Sequence, residues 1–229
     1  MTWISIIIMI ILSLLTYVFY YYKQLNLLIV LLIILSTLPF YFRYEHRKPR
    51  AREIVILAVY IALCVSSRVL FILTPSFKPM AALIIIAGLA FGREFGFLCG
   101  SLSAVVSNIF FGQGPWTPYQ MLSLALIGFI AGCFSDSRYK QNKIFLIVIG
   151  ILSGIFYSLL MDIWGVLSVD AIFLISRYIV MIISSLPTTF IYCVSNVLFL
   201  IILTPAMIRK LERVKIKYEL VESKVYEKL

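Results

Sequence analysis

Residues 108–121, NIFFGQGPWTPYQM, carry the side chains best suited to holding a small molecule. Gly112 and Gly114 permit backbone conformations that other residues avoid, while Pro115 fixes φ and interrupts a helix. Rigid aromatic walls with a few hydrogen-bonding groups are typical of small-molecule pockets. The same residues also suit a tight turn between two membrane helices, so composition leaves both interpretations open. The candidate ligand contacts in this stretch are Asn108, Phe111, Gln113, Trp116, Tyr119 and Gln120.

Three ionisable residues, Arg68, Asp162 and Arg177, interrupt apolar runs. Charges buried in a bilayer are costly unless they are paired or face an aqueous cavity, so each is a candidate for ligand binding. We expect all three to lie at the same end of the protein as residues 108–121, with Asp162 and Arg177 placed to pair across adjacent helices. Arg68, Lys78 and Arg177 are suited to a phosphate or carboxylate on a ligand. The alternative is that these charges neutralise one another or reach out to the membrane surface.

The residue types and their spacing give little support for catalysis or metal binding. The 4 cysteines lie in apolar runs without CxxC spacing, and the single histidine, His46, lies in a basic segment. We therefore expect no metal site, no catalytic residues and no cofactor bound by this chain. A membrane-embedded enzyme, such as a lipid-modifying transferase or a protease, remains a rival hypothesis. Its only acids within apolar runs would be Asp162 and Asp170.

Membrane helices are the elements that must position these residues. The chain has 229 residues, of which 62% are hydrophobic and 13% charged, whereas soluble domains carry about 25% charged residues. Roughly 20 apolar residues span a bilayer as a helix, so the apolar runs predict an all-α integral membrane protein. The predicted helices are 2–22, 25–42, 53–73, 79–92, 94–111, 119–135, 144–166 and 171–204. They divide the chain into two accessory helices (1–42), a basic hinge (43–52), a six-helix core (53–206) and a charged tail (207–229).

The distribution of Lys and Arg predicts the orientation of these helices. The net charge of +10 does not indicate nucleic-acid binding, because the basic residues form short clusters between apolar runs. Loops of membrane proteins that carry such clusters of Lys and Arg lie on the cytoplasmic side of the membrane. We therefore expect a multi-pass protein of the cell membrane with both termini in the cytoplasm. Of the 20 basic residues, this arrangement leaves only Lys23, Arg68, Lys78 and Arg177 outside the cytoplasmic segments.

Small residues recur four apart in several predicted helices. The glycine pairs are Gly96 with Gly100, Gly128 with Gly132 and Gly150 with Gly154. Such spacing lets helix backbones approach closely in lipid, so we expect the glycines to serve packing within the chain. Ala58 and Ala62 lie beside the basic hinge, where a partner membrane protein is able to dock.

Two segments of the chain resemble a known family. Residues 88–132, GLAFGREFGFLCGSLSAVVSNIFFGQGPWTPYQMLSLALIGFIAG, are similar to S components of energy-coupling factor (ECF) vitamin transporters. The likeness is strongest to S components for cobalamin or its precursors. The Ala58–Ala62 pair and the six-helix core add to the likeness, which spans roughly residues 53–206. The two accessory helices depart from the usual six-helix plan.

The resemblance implies a function that composition does not reveal. An S component binds a vitamin near the extracellular face, joins a transmembrane coupling subunit with two ATPases, and topples in the membrane to release the vitamin inward. ATP would be used by the partner ATPases. Ala58 and Ala62 would contact the coupling subunit. A gate over the site would be formed by residues 74–80 and 112–118, including Lys78, Pro79, Gly112, Gly114 and Pro115.

The aromatic and amide side chains favour a flat, largely neutral heteroaromatic or corrinoid-like ligand, with cobalamin or a related precursor preferred on the likeness. A membrane assembly subunit without any ligand is the second rival hypothesis. It predicts tolerance of Trp116→Ala and Arg177→Ala, whereas the transporter hypothesis predicts lost ligand binding.

Overall fold

A computed structural model describes residues 25–46 and 50–218 of the chain. Seven α-helices and one short 3₁₀ helix make up this part, which contains no β-strand between those bounds. The helices are α1 (Leu25–His46), α2 (Ala51–Leu70), α3 (Met80–Phe91), α4 (Arg93–Phe111), α5 (Thr117–Gly132), α6 (Lys143–Asp170) and α7 (Ile175–Lys217), with the 3₁₀ helix at Arg138–Gln141. The predicted helix 2–22 and the end of the predicted tail lie outside the described residues.

Five of these helices, α1, α2, α4, α6 and α7, are long and apolar enough to cross a membrane. The predicted all-α membrane fold is therefore confirmed. Helix α3 lies within one residue of its predicted bounds at each end, whereas α1 continues to His46 in the predicted hinge and α7 runs from Ile175 to Lys217. Helix α3 has only 12 residues, a length of about 18 Å that is too short to cross the bilayer alone. Helix α7 has 43 residues, because the helix continues through Pro187 and Pro205 well beyond the predicted end at residue 204.

Helix α3 forms the centre of the core. All of its residues except the two near its ends, Ala81 and Phe91, are buried, and it packs against α2, α4, α5 and α7. Gly92, with φ of 95°, separates α3 from α4. That backbone conformation favours glycine, so the chain turns here without a longer loop.

Close helix crossings depend on the predicted glycine pairs. A methyl group at Gly96 of α4 would overlap the carbonyl oxygen of Gly128 in α5. A methyl group added at Gly150 of α6 would lie 2.9 Å from Val197 of α7, and one added at Gly154 would lie 2.8 Å from Cys193. The prediction that these glycines pack within the chain is confirmed.

The accessory helix α1 packs directly on the core. Phe40 stacks on Phe97 of α4 with ring centroids 3.9 Å apart. The Tyr41 hydroxyl is hydrogen-bonded to that of Ser101 at 2.7 Å, and Arg43 Nε lies 2.9 Å from Glu94 Oε1. Helix α1 therefore adds a seventh packed helix to the six-helix core.

The bundle has two chemically different ends. The basic end, as we call it, contains Arg43, Arg93, Lys143 and Arg209. The opposite end holds loop 71–79, loop 112–116 and the turn 171–174 between α6 and α7. We call this the cavity end, because a hollow opens beneath its loops.

Candidate functional site

The hollow at the cavity end has a volume of about 130 Å³. It lies where α2, the 71–79 loop and the starts of α3 and α5 meet α6 and α7. Basic, aromatic and amide groups dominate its polar lining, and the lining residues that the structure describes include no carboxylate. These residues are Arg68, Ser76, Lys78, Met80, Ala81, Gln120, Leu124, Tyr157, Tyr192 and Asn196.

Arg68 enters this cavity from the last turn of α2. Its Nη1 donates hydrogen bonds to Ser107 Oγ at 2.6 Å and to Asn108 Oδ1 at 2.8 Å. Its guanidinium carbon lies 4.4 Å from the centre of the Phe111 ring, within range of a cation–π interaction. Arg68 is thus held in place by partners on α4 that are neutral and do not balance its positive charge.

Asn108 links three parts of the site. It accepts the hydrogen bond from Arg68, and its Nδ2 donates to Thr117 Oγ1 at 3.0 Å and to Gln120 Oε1 at 2.8 Å. The side chain is 1% exposed, so each of these polar groups is satisfied inside the protein. Asn108 therefore positions Arg68 and Gln120 rather than facing the cavity itself.

Loop 112–116 forms a constrained turn at the rim. Gln113 Nε2 donates to Val105 O at 2.9 Å, and Thr117 Oγ1 donates to Gln113 Oε1 at 3.0 Å. Gly112 has φ of 99°, a conformation that disfavours any side chain. Both polar groups of the Gln113 side chain are therefore used in hydrogen bonds that close the turn.

The two large aromatic residues at the end of this turn, Trp116 and Tyr119, do not line the cavity. Trp116 and Tyr119 lie 6.4 and 5.7 Å from Trp164 of α6, measured between ring centroids. Tyr119 also packs with Ile33 of α1. These rings join α5 to α6 and to the accessory helix, which is the anchoring role that composition had left open.

Loop 71–79 covers the other side of the cavity. Thr74 Oγ1 donates to Phe77 O at 2.9 Å, and Ser195 Oγ of α7 donates to Lys78 O at 3.0 Å. Ser76 adopts a φ of 63°. The Lys78 ammonium lies 5.8 Å from the centre of the Phe111 ring. Burial, and secondarily the charge of Arg68, lowers the pKa of Lys78.

The expected pairing of Asp162 with Arg177 is wrong. Asp162 is buried and accepts a hydrogen bond from Ser185 Oγ of α7 at 2.7 Å. Arg177 Nη1 lies 2.5 Å from Asp170 Oδ2, and its side chain is 43% exposed. Arg177 lies at the start of α7, so the carboxylate at the end of α6 is nearer. Neither Asp162 nor Arg177 lines the cavity.

Three polar lining residues, Tyr157, Tyr192 and Asn196, were not anticipated from the sequence, whereas Ser76 belongs to the predicted gate at residues 74–80. Tyr157 and Tyr192 form an edge-to-face pair with centroids 5.1 Å apart. Asn196 Nδ2 donates to Ser153 Oγ at 3.0 Å. Tyr192 and Asn196 are four residues apart in an apolar run, so a search for polar side chains on one helical face would have found them.

Two further hollows have different chemistry. One, of about 480 Å³ at the basic end, is open and lined by charged residues that include Arg93, Asp136 and Lys215. The other, of about 460 Å³, is an apolar groove between α5 and α6. Unlike these two hollows, the cavity-end hollow brings together cations, aromatic rings and amides, and of these Arg68, Lys78 and Gln120 belong to the predicted site.

The predicted docking residues lie on the surface of α2. Ala58 and Ala62 are exposed, and Val59 between them is 65% exposed. Small side chains on an open helical face allow another helix to approach closely in lipid. The described part of the chain therefore leaves this face free for a partner.

Comparison with known proteins identifies the family. The family model described as "ECF-type riboflavin transporter, S component" matches residues 48–213, which include the core helices α2–α6 and most of α7. No curated protein and no solved structure matches the chain. The expected likeness to cobalamin-type S components is not supported by this match. The chain belongs to the family of ECF-type riboflavin transporter S components, the membrane-embedded substrate-binding subunits of ECF importers.

Proposed function

We propose that this chain captures riboflavin, or a closely related flat heteroaromatic vitamin, in the cavity beneath loop 71–79. The observation that carries the proposal is the lining of that cavity. Tyr157 and Tyr192 offer ring faces and edges to a flat ligand. Gln120 and Asn196 each carry an amide, which both donates and accepts hydrogen bonds. The pyrimidine ring of a flavin presents alternating N–H and C=O groups that such amides complement.

The size of the cavity favours a flavin over a corrinoid. Its volume of about 130 Å³ is below the roughly 300–1,000 Å³ of most ligand pockets. Even a three-ring ligand requires loop 71–79 or a neighbouring side chain to move outward. A corrinoid would require far more opening. The name of the matched family points the same way, so riboflavin replaces cobalamin as the preferred ligand.

The cavity end is proposed to face the outside of the cell. The basic clusters lie at the other end of the bundle, where the positive-inside rule places the cytoplasm. In this orientation α7 ends on the cytoplasmic side, and the predicted helix 2–22 would bring the N-terminus to that side as well. The exposed Ala58–Ala62 face of α2 would then bind the coupling subunit of the ECF module, whose two ATPases supply the energy for release inward.

The accessory segment is proposed to be part of the binding subunit rather than a separate domain. Helix α1 contacts α4 through Phe40, Tyr41 and Arg43. We therefore expect α1 to move together with the core during transport. The boundaries at residues 42, 52 and 206 remain our division of the chain.

Purification of the full chain in detergent tests the proposed ligand. Mass spectrometry of the small molecules retained, followed by titration with riboflavin while its fluorescence is recorded, should show a bound flavin. Tyr192→Ala should weaken riboflavin binding by about tenfold, because a ring wall of the cavity is lost. Tyr139→Ala is the matched control, since Tyr139 is 66% exposed and lies in the 3₁₀ helix.

Three outcomes would contradict the proposal in different ways. Retention of a corrinoid would restore the cobalamin hypothesis. Absence of any vitamin binding, in a folded chain that still joins other membrane subunits, would favour an assembly role. Equal binding by the Tyr192 and Tyr139 variants would place the ligand elsewhere in the chain.

A further inference from the structure

An apolar groove runs between α5 and α6 in the half of the bundle next to the basic end. Its volume is about 460 Å³, and apart from Ser153 its lining residues are apolar. Ile130 of α5 and Val148 and Leu152 of α6 line it, and each of them is about half exposed. The described part of the chain therefore leaves the groove open to the hydrocarbon of the membrane.

The length of the groove matches one leaflet of the bilayer. Its lining on α6 extends from Phe145, in the first turn of the helix, to Leu159. That stretch corresponds to about 21 Å of helix, whereas one leaflet of hydrocarbon is about 15 Å deep, half of the roughly 30 Å core. A single acyl chain that enters from the basic end is therefore able to lie along the groove at a tilt.

A polar mouth continues the groove at the basic end. This second hollow has a volume of about 320 Å³, shares Phe134 and Phe145 with the groove, and adds Ser137, Tyr139 and Asn142. Asn142 Oδ1 accepts hydrogen bonds from two backbone N–H groups in the first turn of α6. Its Nδ2 and the exposed Tyr139 hydroxyl make no hydrogen bond within the described residues, so both are available to donate to a ligand.

Two cations, Arg138 and Lys143, adjoin the mouth residues in the sequence. Both are exposed, and neither side chain has an ion pair or a hydrogen bond in the part of the chain that the structure describes. Of the nearby acids, Asp136 lines the separate charged hollow of the basic end, and Glu212 pairs with Lys140. The mouth also lies at the start of α6, where the helix dipole favours an anion.

We propose that the groove and its mouth hold one anionic phospholipid, with an acyl chain along α5 and α6 and the phosphate beside Arg138 and Lys143. The apolar groove by itself would accept a chain from any lipid. The two cations select the headgroup, because a Lys or Arg near the membrane surface changes affinity for an anionic lipid by about fivefold. We therefore expect phosphatidylglycerol to bind about fivefold to thirtyfold more tightly than phosphatidylcholine. The site is separate from the vitamin cavity and does not depend on which vitamin is carried.

Photo-cross-linking in vesicles tests this site. The full chain is reconstituted in phosphatidylcholine vesicles with a trace of phosphatidylglycerol or of phosphatidylcholine, each carrying the same diazirine-labelled acyl chain. Mass spectrometry of the peptides should find the label within residues 127–159. Phosphatidylglycerol should label this stretch about fivefold to thirtyfold more than phosphatidylcholine does.

Two pairs of variants separate the headgroup from the acyl chain. Arg138→Gln with Lys143→Gln should reduce labelling by phosphatidylglycerol to the level of phosphatidylcholine. Arg52→Gln with Lys210→Gln is the control, because it removes the same charge from exposed positions on α2 and α7. Leu152→Trp should reduce labelling by both lipids, since the larger side chain fills the groove.

Ile202→Trp is the control for that last variant, because Ile202 is exposed on α7 and does not line the groove. Equal labelling by the two lipids in the parent protein would overturn the choice of headgroup, and with it the proposal. An equal loss of preference in the Arg52 and Lys210 control would show a general charge effect, which also contradicts a site at the mouth. Label that falls outside residues 127–159 would mean that a second copy or another part of the chain covers the groove, and the proposal would fail.

Discussion

Replacement of Asn108 by alanine should destabilise the protein strongly, because this residue joins α2, α4 and α5 at the cavity. Three hydrogen bonds are lost, to Arg68, Thr117 and Gln120. Thr117 keeps its hydrogen bond to Gln113, so the loss of its bond to Asn108 costs little unfolding free energy. Arg68 loses one of two charge-assisted bonds, at about 1.5–3 kcal/mol, and the Gln120 oxygen loses its protein donor, at about 1–3 kcal/mol.

Together these losses amount to about 2.5–6 kcal/mol of unfolding free energy. A chain of this size loses about 2–4 °C in melting temperature per kcal/mol, so we expect Asn108→Ala to melt about 5–24 °C lower than the parent. Cys64 and Cys99 are free and fully buried, so a thiol-reactive dye reports the unfolding directly. The exposed Cys133 is changed to serine beforehand to lower the background.

Gln141→Ala serves as the matched control, because it also removes an amide but from an exposed position in the 3₁₀ helix. It should change the melting temperature by no more than about 2 °C. If Asn108→Ala melts within that same interval, the polar link between α2, α4 and α5 does not stabilise the protein as argued, and the placement of Arg68 loses its support.

Three other predictions test separate parts of the structure. Gly96→Ala should prevent the close crossing of α4 and α5 and yield little folded protein, which size-exclusion profiles would show. Gly165→Ala is the control and should be tolerated, because the added methyl group meets only the flexible end of a methionine. Ala62→Trp should abolish vitamin uptake by cells that contain the ECF module yet leave ligand binding intact, while Leu186→Trp, on an exposed face of α7, should leave both unchanged; loss of binding in the first variant would contradict a docking role. Phe40→Ala should lower the unfolding free energy by about 3 kcal/mol, measured by the same dye assay, since it removes a stacked ring between α1 and α4; an unchanged melting temperature would show that α1 is not part of the folded core.

Hydropathy was sufficient to locate the helices, because membrane spans require long apolar runs that are read directly along the chain. The ends of helices were less accurate. The sequence near residue 204 suggested an end to α7 at the membrane surface, whereas the helix continues to Lys217 and its last turns contact other elements. There, Glu212 pairs with Lys140 at 2.6 Å and Lys215 donates to Ala90 O at 3.3 Å.

The composition of the candidate cavity was only partly predictable. Arg68, Lys78 and Gln120 were recognised as polar residues in unusual surroundings, and they do line it. Trp116 was expected there too, but it packs against Trp164 instead. A ring in a loop has several neighbours within reach, and the sequence does not state which one it contacts. Tyr192 was overlooked because one tyrosine in an apolar run looks like any other interfacial aromatic residue.

The sequence by itself determined the membrane class of this chain, the approximate positions of its described helices and its membership among ECF S components, though not the riboflavin-type family within them. Those properties depend on hydropathy, on small-residue spacing and on motifs, all of which are local. Only the tertiary structure decided which residues share the cavity. Lipid-facing and core-facing positions are both apolar in a membrane helix, so its pattern does not reveal how far the helix is rotated about its axis. Packing sets that rotation, and through it the meeting of Arg68 with Lys78 and the separation of Asp162 from Arg177.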